Sequence, residues 1–187
     1  MALRFQSDLN ARFWDSELGG YFFTAHDGEN LLVRQKEIYD GAIPSGNSIA
    51  LMNLTRSYRL TGNSDLENKA EQIIRTFSKV VKSSPSMYTQ FLSSLNFYLS
   101  AAKVILIVGD DFQQVEKYIR IIRDKYIPHK VICWKNSENE KLISILLKHL
   151  SAYPIKDNEI TIYLCENFVC SLPITSQEEL FRALTES

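Results

Sequence analysis

The sequence predicts an α+β protein: helical hairpins up to about residue 102, followed by a small three-stranded, mostly parallel α/β layer. Three observations carry that expectation. Between residues 48 and 102 apolar residues recur at three- and four-residue spacing. From Lys103 onward, short β-branched runs at 104–108, 131–134 and 160–165 alternate with one-faced helical stretches. The stretch Asp40-Gly41-Ala42-Ile43-Pro44-Ser45-Gly46-Asn47-Ser48 stands directly before an apolar helix. It has the makings of a polar loop feeding a buried element.

The elements follow in order. Residues 5–13 read as the tail of a helix, with Phe5, Leu9 and Phe13 on one face. After a loop ending at Gly19-Gly20, the run Tyr21-Phe22-Phe23-Thr24 has the aromatic and β-branched content of a strand. Asp27-Gly28 is a favoured hairpin turn, and residues 31–36 supply the returning strand. A short aromatic hairpin thus leads into the Asp40 loop. There, Ser45 or Asn47 can cap the helix at 48–60, and Pro44 favours an extended Ile43. Gly62 suits the left-handed residue that ends this helix.

Ser64-Asp65-Leu66-Glu67 is a capping box. The helix it opens carries Ala70, Ile73, Ile74, Phe77, Val80 and Val81 on a single face. The helix before it is apolar on several sides, so the pair reads as an inner/outer helical hairpin. Ser84-Pro85 opens the next inner helix, lined by Met87, Phe91, Leu95, Tyr98 and Ala102. Strands alternating with helices in the second half imply parallel pairing through right-handed crossovers. The expected domains are 1–102 and 103–187.

Composition removes several function classes. With 21 basic against 22 acidic residues, there is no electrostatic case for nucleic acid. No apolar run approaches membrane-spanning length, and no signal-peptide core follows Met1. Three cysteines without a pairing framework favour a reducing cytoplasm. Cys165 and Cys170, five apart across a tight turn, read as buried thiols, with a disulfide as the alternative. The turn Gly109-Asp110-Asp111 lacks the glycines of a dinucleotide fingerprint, and Asp110 or Asp111 is more simply a helix cap. No cofactor or metal is expected.

Charged residues concentrate in one region. Asp15, Arg34, Lys36, Glu37 and Asp40 bracket the aromatic hairpin and can converge with Tyr21 and Phe23. Carboxylates beside aromatic walls are what a sugar ring needs: acid/base groups and flat apolar surfaces. A solvated surface strand and a simple helix cap are the structural alternatives for the same residues.

A family likeness is carried by four segments in order: Phe13-Trp14-Asp15 with Gly19-Gly20-Tyr21-Phe22-Phe23-Thr24; Leu31 to Glu37; Tyr39 to Ser48; and Tyr163 to Pro173. The chain resembles the C-terminal part of the thioredoxin-domain-containing family of bacterial YyaL-type proteins and animal spermatogenesis-associated homologues. The resemblance implies a six-hairpin (α/α) toroid akin to N-acylglucosamine 2-epimerases and six-hairpin glycosidases, present here in part. No Cys-x-x-Cys occurs, so redox activity does not carry over.

The resemblance further implies that Asp40, Ser45 and Asn47 face a central cleft. On that reading Asp40 is the candidate acid/base, Ser45 and Asn47 bind hydroxyls, and Tyr21, Phe23, Arg34 and Lys36 contact a small carbohydrate. The full-length relative would be a sugar epimerase, isomerase or glycosidase-like enzyme, and the isolated chain would be inactive. The competing reading is a non-catalytic scaffold or protein-binding module. A partial toroid exposes apolar helix faces, so self-association or docking to missing N-terminal domains is expected.

Overall fold

The computed structural model describes residues 1–29 and 31–185. The class is α+β, with eight α-helices and a four-stranded sheet among the described residues. The chain divides into two units, Met1–Tyr58 with Asn63–Ser100, and Arg59–Gly62 with Ala101–Ser187. No helix is long and apolar enough to cross a membrane.

The first unit is built on α1 (Ala2–Phe13), α2 (Gly46–Thr61), α3 (Ser64–Ser83) and α4 (Thr89–Leu99). Leu51 and Leu54 of α2, Ala70, Ile73 and Phe77 of α3, and Phe91 of α4 share one apolar core. Leu9 and Phe13 of α1 pack onto it, whereas Phe5, expected on the same face, is exposed. The single-faced pattern of α3 has its counterpart in burial of Leu66, Ala70, Ile73, Phe77 and Val81. Its cap, however, is Asn63 rather than Ser64. The Asn63 side chain accepts the Asp65 N–H at 2.9 Å, which starts the helix one residue earlier. Pro85 opens only a 3-10 turn, Pro85–Met87, and the α-helix begins at Thr89.

The expected hairpin at 21–36 does not form. Trp14 and Tyr21 make an isolated bridge, and Phe23 N–H donates to Gln35 O at 2.8 Å, but no ladder links the two runs. The reason lies in α2. The Asn47 side chain takes both the N–H and the carbonyl of Tyr21, so these groups have nothing to offer a returning strand.

The second unit contains β1 (Lys103–Val108), α5 (Phe112–Asp124), β2 (Lys130–Lys135), α6 (Glu140–Leu146), α7 (Lys148–Ser151), β3 (Thr161–Glu166), β4 (Val169–Cys170) and α8 (Gln177–Thr185). The sheet has four strands, not three, in the order β2-β1-β3-β4, and is mixed. Only β1 and β2 are parallel; β3 runs antiparallel to β1, and β4 antiparallel to β3. In the segment before β3, Asp157 and Asn158 both take left-handed backbone conformations between the bridged residues Lys156 and Glu159.

One sheet face packs Ile105, Ile107 and Ile162 against Val115, Ile122 and Leu180 of α5 and α8. The other packs Val104, Leu106 and Tyr163 with Leu150. Asp111 caps α5, accepting the Gln113 and Gln114 N–H groups, as expected for one of the two aspartates. Cys165 and Cys170, expected as free thiols, form a disulfide, because β3 and β4 place them directly opposite each other. Cys133 is free, and burial pushes its thiol up to about 11.

Candidate functional site

Between α1 and α2 the chain forms neither a helix nor a ladder. Where such a segment is buried, its backbone groups need partners from other backbone, from side chains or from water. Three polar side chains supply such partners here.

The first is Asp40, buried at 8% exposure. Its Oδ1 accepts the Ser45 N–H at 2.9 Å, and its Oδ2 accepts the Ser48 hydroxyl at 3.1 Å and the Phe91 N–H at 2.8 Å. One carboxylate thereby serves the starts of both α2 and α4, where N–H groups lack intrahelical partners and negative charge is favourable. The Asp40 N–H donates to Met87 O at 3.0 Å, so the break after the 3-10 turn is itself used. Ser45 completes the α2 cap. Its Oγ accepts the Ser48 N–H and donates to the Ser48 hydroxyl.

The second is Asn47, 2% exposed. Its Oδ1 accepts the Tyr21 N–H at 2.7 Å, and its Nδ2 donates to Tyr21 O at 2.9 Å and Glu37 O at 2.8 Å. It therefore fixes two separate chain segments against the first turn of α2. The Tyr21 hydroxyl accepts from Gln6 and donates to Asn10 Oδ1 at 2.6 Å. Burial pushes that hydroxyl well above the ordinary tyrosine range, with the Gln6 hydrogen bond opposing.

The third is Asp15, paired with Lys36 at 2.5 Å. The Asp15 Oδ1 also accepts the Glu17 and Leu18 N–H groups, and Lys36 donates as well to Gly19 O at 2.8 Å. Burial alone would raise the Asp15 carboxyl. The Lys36 hydrogen bond and charge, with the two backbone donors, outweigh it and leave the group below the usual carboxylate range. Gly19 lies so close to Gln72 that a Cβ there would sit 2.9 Å from that side chain, and its φ of +75° favours glycine.

The sequence-predicted residues thus separate into three groups. Asp40 and Ser45 meet at the paired helix starts. Arg34 lies over the Phe22 ring at 4.0 Å and donates to Thr24 O, while Lys36 turns to Asp15. Tyr21, Phe23 and Asn47 do border a common cleft of about 210 Å³, with Leu9, Phe13, Phe22, Glu37 and Gly46. Phe23 is 68% exposed there, and Glu37 is the cleft's carboxylate. Phe13 and Phe22 were not expected as site residues. Their four-residue and adjacent spacing marks only core or strand, and the cleft arises from how α1 meets the loop. The Asp40–Phe91 bond, 51 residues apart, left no local signal.

No family model matches the chain. Human spermatogenesis-associated protein 20 is 34% identical over 185 residues, 98% of this chain and 24% of that protein. The rat protein of the same name is 34% identical over the same length, covering 23% of its own. An uncharacterized protein of Caenorhabditis elegans, B0495.5, is 26% identical over 180 residues. The chain spans about a quarter of the length of these relatives. Across nearly all of its length, this chain is therefore similar to proteins named spermatogenesis-associated protein 20.

Proposed function

We propose that the first unit contributes a carbohydrate-facing cleft to a longer protein, of which this chain is the C-terminal part. On this reading α2, α3 and α4 belong to an incomplete (α/α) toroid; their single shared core supports that arrangement. Phe23, with Phe22 beside it, supplies flat apolar surface, buried Tyr21 backs the wall, and Glu37 supplies the carboxylate open to a ligand. Asn47 borders the cleft with its side chain spent on Tyr21 and Glu37, and Asp40, Ser45, Arg34 and Lys36 act as positioning residues for the wall. Asp40 is not the acid/base group in this account, because both of its oxygens are engaged by the starts of two helices. Any chemistry belongs to the complete protein, since catalysis requires groups fixed to within about 0.5 Å.

The observation that carries the proposal is the juxtaposition of four aromatic residues with Glu37 at the first turn of α2. A panel of mono- and disaccharides tested by thermal shift is the direct check. At least one sugar should raise the melting temperature of the wild-type chain. That rise should fall at least threefold in Phe23→Ala and Glu37→Gln, while Asp40→Ala lowers the melting temperature without any sugar present. A panel that moves no variant, or moves Phe23→Ala as much as wild type, overturns the reading.

One observation favours a second, non-catalytic reading. Leu31, Leu32, Val33, Tyr39 and Ile43 are 46%, 106%, 71%, 58% and 80% exposed within one loop. Exposed apolar runs mark docking surfaces. In this reading the loop binds the rest of the longer protein or a second copy of the chain. Light scattering at micromolar concentration should then give a mass above one chain, and Leu32→Ser with Val33→Ser should return it to one.

A further inference from the structure

We propose that the Cys165–Cys170 bridge is a reversible redox site, opened by a dithiol reductant attacking Cys170 Sγ, and that its opening releases the β3–β4 hairpin. The two cysteines occupy paired positions on β3 and β4. They are unequally placed. Cys165 is 2% exposed among Val104, Leu106, Leu150 and Tyr163, while Cys170 lies half-buried on the outermost strand beside exposed Val169 and Ser171. An incoming thiolate therefore reaches Cys170.

The exchange is balanced. A thiolate of the dithiol bonds to Cys170 Sγ as the Cys165–Cys170 bond breaks, and Cys165 leaves as a thiolate that takes up a proton. The second thiol of the reagent then displaces Cys170, giving the oxidised dithiol and two protein thiols. Cys133 does not compete as an internal attacker: it is on β2, separated from β3 by β1, and its buried thiol stays protonated at neutral pH.

Apart from the bridge, the hairpin is tied by the Ser171 N–H donating to Leu164 O at 2.8 Å, the Leu164 N–H donating to Ser171 Oγ at 3.2 Å and Arg59 donating to Asn167 Oδ1 at 3.3 Å. Opening the bridge therefore frees chiefly the turn and the short pairing beyond Leu164. The strand β4 is two residues long. The turn places both Asn167 and Phe168 in the left-handed region, at φ 48° and 66°. Such turns favour Asn-Gly, and a phenylalanine there is held against its backbone preference. Edge-on contact with the His149 ring, centroids 5.1 Å apart, is one of the contacts that hold Phe168. The Leu164–Ser171 hydrogen bonds remain, and beyond them Ile162 and Ile174 exchange two backbone hydrogen bonds at 2.8 and 2.9 Å, so the opening is confined to residues 165–170.

The test uses the full chain, oxidised in air and then reduced with dithiothreitol. Alkylation after denaturation, read by mass spectrometry, should modify Cys133 alone before reduction and all three cysteines after it. Amide exchange over residues 166–170 should accelerate at least tenfold on reduction, and equally in Cys170→Ser without reductant, with α5 and β1 unchanged. Under native conditions a maleimide should label Cys170 in Cys165→Ser at least tenfold faster than Cys165 in Cys170→Ser. Three free thiols in the air-exposed chain, unaltered exchange on reduction, or the reverse labelling order would each overturn the proposal.

Discussion

The two units of this chain solve the same problem with different means. In the sheet of the second, backbone groups are satisfied mainly by strand pairing and both faces are filled largely by apolar side chains, with polar side chains such as Lys135, which donates to Ser151 O and Tyr153 O, serving the connecting segments. In the first, the chain between α1 and α2 forgoes regular pairing, and Asp15, Asp40 and Asn47 supply the missing partners. The lesson concerns reading function from polarity. A run of Asp, Ser and Asn beside a helix start resembles a site, yet in a long irregular segment the same residues are needed to satisfy the main chain. The residues left facing a cleft are then the less conspicuous ones, Phe22, Phe23 and Glu37.

The comparison is broken most severely at Asp40. Asp40→Ala strands the Ser45 and Phe91 N–H groups and the Ser48 hydroxyl, and should cost about 4 kcal/mol in urea unfolding, as much as a large apolar truncation. Leu106→Ala, fully buried in the sheet of the second unit, should cost about 3 kcal/mol and serves as the apolar counterpart. If Asp40→Ala costs less than about 1 kcal/mol, the carboxylate is not holding two helices, and its assignment as a positioning residue fails.

Lys36→Met tests the buried pair. With partner side chains 14% and 9% exposed, leaving Asp15 alone should cost about 3 kcal/mol at neutral pH. The folded-state carboxyl of Asp15 lies below its unfolded value. The pair's contribution is therefore fully present above the ordinary carboxylate range and is lost as pH falls through the depressed value. Wild type and Lys36→Met should accordingly converge in stability below about pH 4. A constant difference down to pH 2 would assign the effect to packing of the lysine stem instead.

The smallest effect is expected from Tyr21→Phe. Gln6 and Asn10 still bond to each other at 2.9 Å, so the loss should be about 1 kcal/mol, measurable by denaturant titration. Tyr21→Phe should also leave any sugar response of the cleft intact, separating the ring from its hydroxyl.

Much of the architecture could be read from residue order. The periodicity of α3, the β-branched runs of β1, β2 and β3, and the Asp111 cap are local properties, visible wherever one face of an element must be buried. The hairpin reading of residues 21–36 failed because strand content is not a partner: Tyr21 gave its backbone groups to Asn47 across 26 residues. The parallel reading of the sheet failed for a related reason. β3 runs antiparallel to β1, a direction that a helix–strand alternation does not encode. At the candidate site, Tyr21, Phe23 and Asn47 were recognised and border one cleft, but the division between facing and supporting residues was invisible.

What the sequence determined alone was the kind of the main helices and of β1 to β3, and most of the apolar face each buries, because helix and strand periods are written in neighbouring residues. What tertiary structure decided was the use of each polar group. Asp40 became a shared helix cap, Asn47 a backbone clamp, Asp15 and Lys36 an ion pair, and Cys165 and Cys170 a bridge. Those outcomes depend on groups brought together from distant parts of the chain, where hydrogen-bond satisfaction in a buried setting outweighs local preference.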